Sequence, residues 1–281
     1  MSRPNVAESI AHIKTLPTLP AVLSHILATT ADPDSSALEL SRHVAADQSL
    51  TATLLKLVNS AYYGCYRQVD SITTAIVMLG FDEVRNLTLA MTAFRRFPQG
   101  HPDFDRTQLW RHSIAAAMAA EGLSKAARVP AGGCFVSGLL HDIGKVILDV
   151  IHPRLFRDAA HKAHDEGRLI RETETEILGL NHAEAAGILA ERWELPPSIV
   201  DAVRYHHDPE LSETDPPLTS LVALADYLTY QARLGESSNG CDPPLPAAAS
   251  TLGLDEKKWS GVVEHLQQSG GRINEFVGSL R

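Results

Sequence analysis

The chain has 281 residues, 44% of them hydrophobic, and a formal net charge of −9. That composition excludes disorder as the default and allows a sizeable core in one large domain or two modest ones. Up to Asp105 there are 8 basic and 10 acidic residues and the remainder carries −7, so neither half has the basic excess of a non-specific nucleic-acid binder.

The elements read as helix after helix, with no sustained strand-like alternation between hairpin turns. Ser36 followed by Glu39 is a capping-box pattern opening a helix to Ala46. Asp47 caps the next one, whose apolar face is Leu50, Leu54, Leu57 and Val58. Ile72, Ala75, Ile76 and Leu79 recur at helical spacing and stop at Gly80. Asp82 is placed as the cap of a helix running to about Phe97, and Pro98 with Gly100 then breaks the chain. Long helices are predicted over Thr107 to Arg128, Gly133 to Val150 and Pro153 to Glu166. Asn181 with Glu184 is a second capping-box start, leading to Trp193. Pro196 and Pro197 open a helix that ends near His207, before Pro209. Leu218 to Leu234 is one more. Gly235 to Pro246 reads as an exposed loop, and a terminal helix carries Trp259, Val262, Val263 and Leu266.

Cys65, Cys134 and Cys241 are far apart and form no CxxC. That argues against a disulfide framework or a zinc ribbon and suits a reducing compartment. The sequence shows no apolar signal core and no run of membrane-spanning length, so a cytoplasmic, soluble protein without a membrane partner is expected.

Chemistry concentrates in the second half. Gly138 to Leu148 sets His141, Asp142 and Lys145 inside a very apolar helix, where unpartnered ionisable groups are costly. His141 and Lys145, four apart, share a face, and Asp142 lies one step round. His112 sits on the face of Leu109, Ala116 and Leu123. His182 falls in the first turn of the Asn181 helix. His206 and His207 continue the face of Ile199, Val200 and Val203. Asp226 lies within the apolar run Leu221 to Leu228. Each has a plainer reading by itself: a satisfied core histidine, a surface residue, a favourable charge at a helix C-terminus, or a half-buried acceptor. Together, five helices each aim a ligand-type residue inward, which points to a metal site.

The order His112, His141-Asp142, His182, His206-His207, Asp226 resembles the HD superfamily of metal-dependent phosphohydrolases, including its two-metal members. The resemblance implies that His112, His141, Asp142 and Asp226 hold one metal, that Asp142, His182, His206 and His207 hold the second, and that Lys145 lies near a substrate phosphate. Asp142 and Lys145 are then the catalytic candidates. The implied cofactors are two divalent transition-metal ions. Five imidazoles favour iron, manganese or zinc over magnesium or calcium.

The first half resembles a narrower branch, the HDOD (HD-related output) domain. Its marks are Leu16-Pro17-Thr18-Leu19-Pro20, Asp47-Gln48-Ser49-Leu50-Thr51, Leu54 to Ala61 with Asn59-Ser60-Ala61, and Ala75 to Gly80. The likeness continues through Trp110, the His141 segment and Trp193-Glu194-Leu195-Pro196 to His206-His207, covering roughly residues 14 to 230. It implies an all-α fold, with an N-terminal helical subdomain packed on an HD-superfamily helical bundle. The expected division is 1–100, an HDOD subdomain; 101–234, an HD-like metal-site subdomain; and 235–281, a loop and helical extension.

HDOD proteins resemble bacterial signalling modules, many of which lack the complete metal set, whereas this sequence keeps every ligand position. After His206-His207 comes Asp208-Pro209 and no Gly-Tyr-Pro block, which weighs against a cyclic dinucleotide substrate. Two functions stay open: a metal-dependent phosphohydrolase acting on a nucleotide or related phosphoester, and a non-catalytic regulatory module with signalling-protein partners and a structural or sensory metal. A third, DNA binding through the short helices from Ser36 to Ser60, is disfavoured by the near-neutral charge there.

Overall fold

In a computed structural model, the residues described are 37–59, 63, 66–95, 104–130, 132–235 and 246–279, with Val6, Glu8 and Ile10. Every element among the described residues is helical. The chain divides into a smaller unit, Pro17–Phe97 with Gly270–Arg281, and a larger unit, Met1–Leu16 with Pro98–Ser269.

The smaller unit contains α1 (Ala37–Ala45), α2 (Gln48–Val58), α3 (Ile72–Leu79) and α4 (Phe81–Arg95). Asp47 caps α2 by accepting from the Leu50 N–H, and Leu50, Leu54, Leu57 and Val58 are buried, as their spacing predicts. Ser71 caps α3, which stops at Gly80 with φ 92°, a left-handed conformation that favours glycine. Asp82 is not a cap. Helix α4 starts one residue earlier, with Val84 N–H donating to the Gly80 carbonyl, so Asp82 lies in the first turn and pairs with Arg85 at 2.8 Å. The Ser36 cap, the Leu16–Pro20 segment, Ser60-Ala61 and the end of α4 near Phe97 lie outside the described residues.

Asn59, from the Asn59-Ser60-Ala61 block, closes α2. Its amide donates to the carbonyls of Leu55 and Val69 and accepts from the Val69 N–H at 2.7 Å. One side chain thus satisfies both backbone groups of Val69, which is 1% exposed. Asn59→Ala strands both, and should lower unfolding stability by about 1–3 kcal/mol. Urea denaturation of the full chain checks this, and an unchanged midpoint would refute the clamp.

The larger unit runs α5 (Arg106–Ala127), α6 (Cys134–Leu140), α7 (Ile143–Ile151), α8 (Pro153–Glu166), α9 (Ile170–Leu178), α10 (His182–Arg192), α11 (Pro197–Arg204), α12 (Pro216–Gln231), α13 (Pro246–Leu252) and α14 (Glu256–Ser279), the last passing into the smaller unit at Gly270. Helix α5 packs on α6 and α12, α7 on α10, α10 on α11, and α11 on α12. These contacts surround one centre. Gly138 allows the close approach of α6 to α5, because a Cβ there would meet the Ala117 Cα of α5 at 2.8 Å. A buried ion pair, Arg106 to Asp149 at 2.7 Å, ties the start of α5 to α7.

Three expectations for this unit are corrected. The single helix predicted over Gly133 to Val150 is two helices, interrupted at His141-Asp142. Helix α9 was not expected between Glu166 and Asn181. Helix α11 ends at Arg204, so His206 and His207 occupy the turn after it and do not continue its face. Among the described residues, no helix is long and apolar enough to cross a membrane.

Candidate metal centre

The interruption between α6 and α7 creates the centre. Asp142 takes the N-cap position of α7, with φ −97° and ψ 6°, but its side chain makes no capping hydrogen bond. Its carboxylate is therefore free to serve two directions. Oδ2 lies 2.7 Å from Lys145 Nζ and 3.5 Å from His141 Nε2, and Oδ1 lies 3.2 Å from His182 Nε2. Because the helix restarts at Ile143, Lys145 reaches back to Asp142.

The other predicted residues converge on the same point. His112 Nε2 from α5 is 2.8 Å from Asp226 Oδ1 on α12, 3.3 Å from His141 Nε2 and 3.8 Å from Asp142 Oδ2. His182 Nε2, at the start of α10, is 2.8 Å from His207 Nε2. The His206 ring centroid is 5.0 Å from that of His141 and 4.0 Å from that of His207. Three groups have ligand atoms within 4.8 Å of one another: His182, His206 and His207; His112, His141 and Asp142; and His141, His206 and Asp226. His141 and His206 each belong to two groups, so the clusters overlap through histidines. All seven residues meet, and Lys145 joins them.

The hydrogen bonds around the rings decide what they offer. His141 Nδ1 donates to the Gly138 carbonyl and His206 Nδ1 to the Val203 carbonyl, each at 2.7 Å. A carbonyl only accepts, so each Nδ1 carries a proton and Nε2 is the nitrogen turned inward. His182 Nδ1 is likewise bonded, at 2.6 Å, to Glu174 Oε2. His206 Nε2 is buried and has no hydrogen-bond partner among the described residues. Histidines oriented from behind, with Nε2 atoms turned inward beside carboxylates, are what a transition-metal site requires. The donor set fits a divalent cation.

The electrostatics differ across the centre. Burial lowers His141, but Asp142 and Asp226 outweigh it and raise the ring to about 10. Two buried carboxylates draw positive charge to this centre. Burial raises the Asp142 carboxyl, yet Lys145 and His141 hold it well below the carboxylate range, and His112 and His141 do the same for Asp226. Burial and neighbouring imidazoles hold His206 and His207 well below the usual histidine range, in the neutral form that ligates.

Sequence reasoning missed Glu174. It is fully buried on α9 and accepts both the backbone N–H and the Nδ1–H of His182. Its signal was present: Ile170, Thr173, Glu174 and Leu178 are buried at helical spacing, with a carboxylate on the apolar face. Arg171, on the same helix, bonds Asp208 at 3.2 Å and so ties the His206-His207 turn to α9.

An all-α chain with a buried His/Asp cluster at the junction of its helices defines the class. The HDOD domain family matches residues 16–209, and the chain belongs to that family. It is 31% identical over 225 residues, 79% of its length, to an uncharacterized protein of Treponema pallidum (strain Nichols), and spans 44% of that relative. Among solved structures, an HDOD domain protein of unknown function from Geobacter sulfurreducens superposes with a TM-score of 0.82 at 27% identity, covering 98% of this chain and 96% of the other. A Shewanella amazonensis protein described as a candidate phosphohydrolase has a TM-score of 0.76 at 22% identity, covering 99% of each chain, and shares the fold.

Proposed function

We propose that this chain is an HDOD signalling protein with a dinuclear metal centre, acting as a metal-dependent phosphohydrolase on a nucleotide or related phosphoester. The observation that carries the reading is the set of buried Nε2 atoms of His141, His182 and His206, each fixed from behind by an Nδ1 hydrogen bond, around the carboxylates of Asp142 and Asp226. His112, His141, Asp142 and Asp226 would hold one ion, and Asp142, His182, His206 and His207 the other. Divalent cations held there would supply Lewis acidity toward a phosphate and toward the attacking water.

The chain's own residues then have separate tasks. Asp142 joins the two halves of the centre. Lys145, 2.7 Å from Asp142, carries a positive charge to the place where a substrate phosphate would sit. His182 keeps its proton at Nδ1, on Glu174, so that Nε2 stays available. The kinship of the Shewanella amazonensis protein supports this reading through the shared fold. We assign residues 1–100 to the regulatory HDOD subdomain, 101–234 to the metal-site subdomain and 235–281 to an extension. Iron, manganese or zinc suits the donor set.

A second reading, a non-catalytic regulatory module with signalling-protein partners and a structural or sensory metal, is favoured by one observation. His141 is 0% exposed and Asp142, His182 and His206 are each 1% exposed, a depth that suits a metal better than a bulky substrate.

Two measurements separate the readings. Elemental analysis of protein purified without chelator should find two transition-metal ions per chain. The loaded protein should then hydrolyse members of a phosphomonoester, phosphodiester and nucleotide panel. Bound metal without turnover selects the second reading, and no bound metal refutes both. Removing the ions with a chelator should also lower the melting temperature. An ion at a hundredfold excess over its dissociation constant contributes about 2.7 kcal/mol, or roughly 5–10 °C in a chain of this size. An unchanged melting temperature would exclude a preformed site.

A further inference from the structure

The two halves of the centre are unequal in charge. Asp142 and Asp226 flank His112 and His141, whereas the His182, His206 and His207 cluster contains no carboxylate of its own. A divalent cation among those three imidazoles would depend on carboxylates shared with the other half, Asp142 beside His182 and Asp226 near His206. A further carboxylate, Glu174, lies one hydrogen bond behind His182.

Glu174 is 0% exposed. Its Oε2 accepts two bonds, from His182 N–H at 2.8 Å and from His182 Nδ1–H at 2.6 Å. Its Oε1 is buried and has no hydrogen-bond partner among the described residues. A carboxylate taken this far from water is costly unless a positive charge faces it. The protein donors on it are the backbone amide and the imidazole of His182. A cation on the far side of the His182 ring would complete the pairing, because an imidazole transmits charge between its two nitrogens. Carboxylate–histidine–metal arrangements of this kind fix the tautomer and strengthen the ligand.

We propose that Glu174 is a positioning residue of the metal centre: it holds His182 in the Nδ1–H form and supplies from behind the ring the negative charge that the His182, His206 and His207 half lacks. This rests on the metal reading above. It also gives α9 a purpose, since the helix spans only Ile170–Leu178 and brings Glu174 under the start of α10.

The test uses the full chain stripped of metal and titrated with Co²⁺ alone against a competing chelator. The wild-type chain should take up two ions. Glu174→Gln keeps an acceptor for both His182 bonds and removes the charge. It should weaken one of the two ions by about 10–100-fold and leave the other unchanged. The weakened ion should be the one lost in His182→Ala, and adding Glu174→Gln to His182→Ala should change Co²⁺ binding no further. A merely structural role for Glu174 would lower binding in that background too, and so would overturn the proposal. Wild-type affinity for both ions in Glu174→Gln would also overturn it. Should Glu174→Gln fail to fold, Glu174→Ala, which removes both the charge and the acceptor, is read the same way. A wild-type chain that takes up no Co²⁺ refutes the metal reading itself, and so the two failures are distinct.

Discussion

Asp142→Ala is expected to release both metal ions and to abolish phosphoester hydrolysis. Asp142 faces both halves of the centre, with Oδ2 toward His112 and His141 and Oδ1 toward His182. It is also the partner of Lys145, whose side chain is 3% exposed. Truncation therefore leaves a buried ammonium without its carboxylate, which costs about 3–5 kcal/mol. The readouts are metal content, turnover and thermal melting. Asp142→Asn separates the causes, since it keeps the shape and one oxygen acceptor while removing the charge. If turnover survives Asp142→Ala, the bridging assignment is wrong.

Gly144→Ala should be nearly as damaging, although glycine carries no chemistry. Helices α7 and α10 approach so closely there that an added Cβ would overlap the His182 carbonyl and stand 2.9 Å from the Ala186 nitrogen. The obstacle is backbone, which cannot rotate away. The two helices must separate, and His182 then moves off Asp142, from which its Nε2 now stands at 3.2 Å. Overpacking of this kind costs about 1–3 kcal/mol. A displacement of about 1 Å at a catalytic centre can cost about 100-fold in rate. Metal stoichiometry, melting temperature and turnover of Gly144→Ala measure the three consequences. A variant that matches the wild-type protein in all of them would show that the α7–α10 approach does not set the distance across the centre.

Much of this was legible in the residues. Helical periodicity marked α2, α3, α5, α8 and α12, because a stripe of apolar side chains must face a core whatever that core is. Asp47 and the Asn181–Glu184 pair cap their helices as their patterns predict, the latter with both reciprocal bonds formed. The seven ligand-type residues could be picked out because buried histidines and carboxylates are costly and so demand a partner. What stayed hidden depends on contacts between segments far apart in sequence. An apolar run such as Gly133 to Val150 carries no local sign of a break at His141-Asp142, since both pieces are equally buried. Helix α9 has a mixed composition, and its inward face becomes meaningful only against α8, where Thr173 donates to the Ala159 carbonyl.

The sequence by itself determined the all-helical class, the family and the kinds of ligand, since these follow from local spacing and side-chain chemistry. The tertiary structure alone decided that Asp142 stands at a helix break between Lys145 and His182. It also decided that His206 and His207 turn inward after α11 ends, that Glu174 lies behind His182, and that Gly144 lets α7 touch α10. Those are distances between separate helices, and no periodicity within one helix encodes them.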